Sequence, residues 1–191
     1  MNFTTETFCP ANSQDWRKWL SENHKSKDGI WLIVYTKSSD SPNLTWSEAV
    51  DEALCFGWID GIKRPLDQDR YQQYFTKRKP KSNWSRINKE KVENLIKSGL
   101  MTEAGFQCIE VAKENGSWTF LDSVENLEVP ADLNIALDKF TGAKDFFTGL
   151  SKSIRKQMLY WVISARRPET RKKRIDEIVL CASQEKKPKQ F

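Results

Sequence analysis

The sequence predicts an α+β fold: a small antiparallel sheet with helices, followed by a C-terminal all-helical module. Three observations carry this. The apolar run Ile30-Trp31-Leu32-Ile33-Val34-Tyr35 is continuous rather than alternating, as in a strand buried on both faces. Thr45-Trp46-Ser47-Glu48 is a capping box that opens a helix. From Ser85 the chain reads as mostly helical, beginning with Ile87, Val92, Leu95 and Ile96 at a period near 3.6. The chain of 191 residues then divides into an α/β domain at 1–116, a linker at 117–129, a helical module at 130–183 and a frayed polar tail at 184–191.

Each element has a local reason. Asn12 or Ser13 caps a first helix that presents Trp16, Trp19 and Leu20 on one side. His24 follows its end, where a capping or surface histidine is expected. Asp28-Gly29 turns the chain into the strand from Ile30, and residues 38–43 form a polar loop. The boxed helix buries Ala49, Val50, Ala53, Leu54 and Phe56, and Gly57 ends it in a left-handed conformation. Residues 58–62 are a short strand or a turn; residues 70–77 are a strand or an extended loop. Ile87, Val92, Leu95 and Ile96 give the next helix, closed by Gly99, and Phe106, Ile109 and Ala112 the one after. Residues 117–129 are acidic and lack periodicity, which is why they read as a linker. Short helices follow over 130–140, 143–150, 151–165 and 168–182, the last with Pro168 at its first position.

Composition narrows the function. No run of about 18 apolar residues occurs, so no membrane span is expected. Residues 1–11 have no basic region followed by an apolar stretch, so no secretory signal is expected either. Cys9, Cys55, Cys108 and Cys181 are far apart, and His24 is the one histidine. Metal and dithiol sites need close ligand pairs, so no metal or cofactor is expected, and free thiols suit a reducing cytoplasm. Net charge is +5 and alternates in blocks: residues 63–91 carry 10 Lys/Arg against 3 Asp/Glu, and residues 151–191 carry 12 against 4. Such blocks allow a focused basic face.

The basic block overlaps an aromatic one. Within 58–88, Trp58, Tyr71, Tyr74, Phe75 and Trp84 interleave with Lys63, Arg64, Arg70, Lys77, Arg78, Lys79, Lys81 and Arg86. Aromatic faces stack on bases and sugars, and guanidinium groups grip phosphate. The same aromatics, taken singly, suit a core, and the cations suit solvated edges. At Lys81-Ser82-Asn83-Trp84-Ser85 a helix start faces a basic loop, either as an anion pocket reaching to Asn88 or as plain capping by Ser85 with Trp84 as a hydrophobic staple. Asp60, before Gly61, is a candidate general base or a turn residue. Arg166, Arg167, Arg171 and Arg174 are a solvated face or a second phosphate-contacting patch. No Ser/His/Asp set, phosphate loop or dinucleotide fingerprint is present.

Three runs together carry a resemblance: Ala53-Leu54-Cys55-Phe56-Gly57-Trp58-Ile59-Asp60-Gly61; Phe75-Thr76-Lys77-Arg78-Lys79-Pro80-Lys81-Ser82-Asn83-Trp84-Ser85, running on to Asn88; and Val129-Pro130-Ala131-Asp132-Leu133 with Ala165-Arg166-Arg167-Pro168-Glu169-Thr170-Arg171 and Arg174-Ile175. Nearly the whole chain resembles the YdeI/OmpD-associated family of small bacterial proteins, also labelled bacteriocin-protection proteins. The resemblance implies a helical C-terminal module and a role in bacteriocin resistance or envelope stress, and carries no catalytic mechanism.

The expected function is therefore binding of an anionic small molecule or nucleic acid at Trp58, Asp60, Lys63, Arg64, Tyr74, Lys77, Arg78, Lys81, Ser82, Trp84, Ser85 and Asn88. The alternatives are an enzyme using Asp60 in a basic pocket, and a module whose C-terminal helices dock a protein partner.

Overall fold

The computed structural model describes residues 6–36, 39 and 42–191. Of the polar loop expected at 38–43, Ser38, Asp40 and Ser41 lie outside the described residues. The chain forms two compact units, Met1–Thr119 and Phe120–Phe191, each with its own core.

The first unit is built on a four-stranded sheet in the order β1-β2-β4-β3. These strands are β1 (Thr7–Phe8), β2 (Gly29–Tyr35), β3 (Trp58–Pro65) and β4 (Arg70–Lys77). The short β1 pairs parallel to β2 and was not expected, because two residues cannot show alternation. β2 and β3 both run antiparallel to β4. The strand option holds at 70–77, and at 58–62 it extends to Pro65, a residue tolerated on an edge strand. β2 lies inside the sheet and is buried on both faces, with Trp31 on one side and Ile30, Leu32 and Val34 on the other.

Four helices complete this unit: α1 (Ser13–Asn23), α2 (Trp46–Cys55), α3 (Arg86–Lys97) and α4 (Glu103–Glu114). Asn12 caps α1 by accepting from the Asp15 amide, and His24 closes it with Nδ1 2.9 Å from the Leu20 carbonyl. The capping box at Thr45 and Glu48 is fully formed. Trp16, Leu20, Ala49, Val50, Ala53 and Leu54 bury against Ile30, Leu32 and Phe75. Gly57 takes φ +72°, as expected of a residue that stops a helix. α3 and α4 bury narrower stripes than their periodicity suggests. Val92, Leu95, Ile109 and Ala112 are inside, while Ile87, Ile96 and Phe106 are exposed, because α3 packs on α2 along one stripe and α4 does likewise.

The second unit is helical: α5 (Asp122–Glu125), α6 (Ala131–Leu137), α7 (Ala143–Gly149), α8 (Lys152–Ile163) and α9 (Pro168–Ala182). Leu133, Leu137, Phe147, Met158, Val162 and Ile178 fill its core. Two expectations need correction. Residues 117–129 are packed: Ser117 is buried and donates to the Pro80 carbonyl, Trp118 lies on the first core, and Val124 of α5 is in the second. The tail at 184–191 folds back, with Phe191 meeting the Trp161 ring edge-on at 5.6 Å. Both stretches anchor through single aromatic or aliphatic residues, which leave no periodic trace.

Candidate ligand-binding site

The cations of 63–91 do not form one surface. Strand alternation sends Lys63, opposite Gln73, to the helix-covered side of the sheet, and Arg64, opposite Gln72, to the other. Lys63 Nζ lies 3.7 Å over the Tyr71 ring, and the Arg64 guanidinium lies 4.7 Å over Trp31. Arg70 pairs with Asp67 at 2.7 Å. Lys77 reaches Asp28 at 3.2 Å and the Lys25 carbonyl at 2.8 Å, and Lys91 reaches Asp51 at 2.7 Å. Lys79, Lys81 and Arg86 are exposed, and Ser82 is half-buried. The aromatics serve mainly as core. Trp58 is fully buried and donates its indole N–H to the His24 carbonyl. Tyr74 packs beside Trp31 and lies across Gly29, where a Cβ would come within 2.1 Å of its Oη. Ser85 caps α3 by accepting from the Asn88 amide, while Trp84 packs on Trp118 rather than forming a staple with α3.

One part of the predicted stretch does line a cavity of about 450 Å³. Tyr35, at the end of β2, and Leu44 and Trp46, leading into α2, form walls with Tyr71, Glu48 and Lys63. Asn43 fixes the approach to α2. Its side chain accepts from the Tyr35 amide and donates to the carbonyls of Pro10 and Ile33. Lys63 arrives because the β3–β4 pairing shifts between Asp60 and Lys63. Asp60 lies opposite Phe75 and Lys63 opposite Gln73, so three residues on β3 match two on β4 and both point to the helix side.

The electrostatics of this cavity are simple. Glu48 is committed to capping: its carboxylate accepts from the Thr45 amide at 2.7 Å and hydroxyl at 2.8 Å, which hold it below the usual carboxylate range. Burial pushes the Tyr71 phenol up, so it stays a neutral donor. Lys63 is the one cation among the described lining residues. Asp60 does not line the cavity. It accepts from the Trp46 indole N–H at 3.0 Å and so fixes the wall from behind. The volume is in the range of small-molecule sites, about 300–1,000 Å³. Tyr35, Trp46 and Glu48 were not singled out as site residues beforehand. The available signal was Trp46, a large aromatic at the first, exposed position of a capped helix.

A second cluster lies at Arg78. Its backbone N–H donates to the Gly57 carbonyl at 2.9 Å. Its guanidinium lies 3.7 Å over the Trp84 ring, and the residue is only 8 % exposed. Burial pushes its pKa down to about 10, while Cys108 and Asp60 pull the other way. Burial likewise raises the Cys108 thiol. Of the other basic patch, Arg166 and Arg167 are exposed, while Arg171 and Arg174 are held in structural contacts. Arg171 grips Asp132 with two bonds at 2.6 and 2.9 Å, and Arg174 donates to the Trp161 carbonyl and to Ser164 Oγ.

Comparison with known proteins finds two family matches. A model described as a domain of unknown function (DUF8412) matches residues 8–108. One described as Bacteriocin-protection, YdeI or OmpD-Associated matches residues 126–185. The runs at 53–61 and 75–88 fall in the first match, and those at 129–133 and 165–175 in the second. No curated protein and no solved structure matches the chain. The chain thus belongs, through more than half its length, to the family of that domain of unknown function, and carries behind it a YdeI/OmpD-associated, bacteriocin-protection domain.

Proposed function

We propose that this chain is a binding protein for a small amphipathic anion, an aromatic or apolar body with one carboxylate or phosphate group, held in the cavity at Lys63. The observation that carries the reading is the pairing of aromatic walls with one ammonium group among the described lining residues, beside a carboxylate already occupied in helix capping. A flat apolar ligand would lie against Trp46 and Tyr71, and its anionic end would take Lys63. The dispersal of the other cations favours a small ligand over nucleic acid, which needs a continuous track of phosphate contacts. Free cysteines agree with a cytoplasmic setting. The description of the domain at 126–185 agrees with a part in bacteriocin protection.

The test is calorimetric titration with 2-naphthoate and with a nucleoside monophosphate. Saturable binding of at least one is expected, and Lys63→Met weakens it by about tenfold or more, the worth of a charge-assisted hydrogen bond. Trp46→Ala should weaken it as well. No saturable binding of either probe, or full affinity in Lys63→Met, overturns the proposal.

A further inference from the structure

The Arg78 cluster is a separate site with its own chemistry. Among the described residues, Arg78 Nε and Nη2 are buried and have no hydrogen-bond partner, and the same is true of Trp84 Nε1. All three are N–H donors. Nε and Nη2 form one edge of the guanidinium, the fork that takes a carboxylate or phosphate through two parallel bonds. The chain shows that edge in use elsewhere: Arg171 fills its Nε/Nη2 fork with the two oxygens of Asp132. At Arg78 no carboxylate occupies it. The Trp84 ring beneath offsets part of the cost of burying the charge, but supplies no acceptor in the guanidinium plane.

We propose that the Arg78 fork, with the Trp84 indole N–H beside it, is a binding site for a single oxyanion of phosphate size. The site is independent of the Lys63 cavity. Exposed Lys79 and Lys81 follow Arg78 in the chain and raise the local concentration of anions. Arg78 keeps 8 % of its surface exposed, whereas Nε and Nη2 are covered, so an anion reaches the fork by displacing the neighbouring side chains. Association slower than diffusion is the kinetic consequence.

The probe is inorganic phosphate, added to the full chain at matched ionic strength against chloride. Thermal denaturation of the wild type should rise saturably, by several degrees at about a hundredfold excess over Kd. Arg78→Met, which keeps the volume and removes the charge, should lose the rise. Trp84→Phe, which keeps the stack and removes the N–H, should bind phosphate about tenfold more weakly. Lys63→Met should leave the rise intact, which separates this site from the cavity. An equal rise in Arg78→Met would place phosphate elsewhere and overturn the proposal. So would a wild type that shows no saturable rise, which would leave Arg78 and Trp84 as a structural stack only. If Arg78→Met does not fold, Trp84→Phe decides: undiminished phosphate affinity there removes Trp84 from the site and overturns the proposal as stated.

Discussion

Gly105→Ala sets two effects against each other at the junction that positions α2. In an exposed helix interior, replacing Gly by Ala stabilises by about 1 kcal/mol. Here the added Cβ would lie 2.5 Å from the Cys55 carbonyl oxygen, 3.0 Å from its carbon and 2.3 Å from Met101 Sδ. The methionine can rotate away. The carbonyl is held, since it ends α2 and accepts from both the Thr102 hydroxyl at 2.5 Å and the Thr102 amide at 3.2 Å. Relieving the overlap means moving the start of α4 off the end of α2. Overpacking of this kind costs about 1–3 kcal/mol, and a weakened Thr102 bond adds about 1 kcal/mol. The overlap outweighs the propensity gain, and the variant should lose about 2 kcal/mol. Urea denaturation followed by tryptophan fluorescence reads this well, because seven of the eight tryptophans belong to the first unit. A variant as stable as the wild type, or more so, would refute the claim that the Cys55 carbonyl is fixed.

Other outcomes follow from the same contacts. Glu48→Ala removes both bonds to Thr45 and should cost the first unit about 1 kcal/mol, read as a lower urea midpoint. The Arg171 fork holds the Asp132 carboxyl below its ordinary value of 3.8. A depressed carboxylate contributes stability that is present above its unfolded pKa and lost as pH falls through the folded one. The wild type should therefore lose stability in acid more steeply than Asp132→Asn, compared by circular dichroism melts; parallel acid profiles would count against the pairing. Trp46→Phe removes the donor to Asp60 while keeping a ring in the wall, so its ligand affinity should fall between those of wild type and Trp46→Ala.

What could be read from the sequence was what is decided locally. The Asn12 cap, the Thr45–Glu48 box, the turn at Gly57 and Pro168 at the head of α9 each depend on residues within one helical turn. The continuous β2 run announced its interior position because burial on two faces leaves no room for alternation. The site was less legible. A dense run of cations reads as one surface, yet Lys63 and Arg64 part at once because neighbouring strand residues face opposite ways. Lys77 and Lys91 find Asp28 and Asp51 across the fold, and no spacing rule connects those pairs. Tyr35, Trp46 and Lys63 share a cavity only through the sheet register and the placement of α2 beside β3. Phe191 was hidden by its polar neighbours.

The shifted pairing between Asp60 and Lys63 makes the chemistry of the cavity a matter of counting. Three residues on β3 span the distance of two on β4, so one residue there is surplus. Deleting Ile62 and letting the strand run regularly would keep Lys63 opposite Gln73, and the cavity would retain its ammonium group. Deleting Ile62 while the irregularity persisted would bring Arg64 opposite Gln73 and present a planar guanidinium instead. Straightening the strand at full length would turn Ile62 toward the helices and leave that position apolar. The pairing at 61–62 therefore decides whether an ammonium group, a guanidinium group or an apolar side chain lies opposite Gln73.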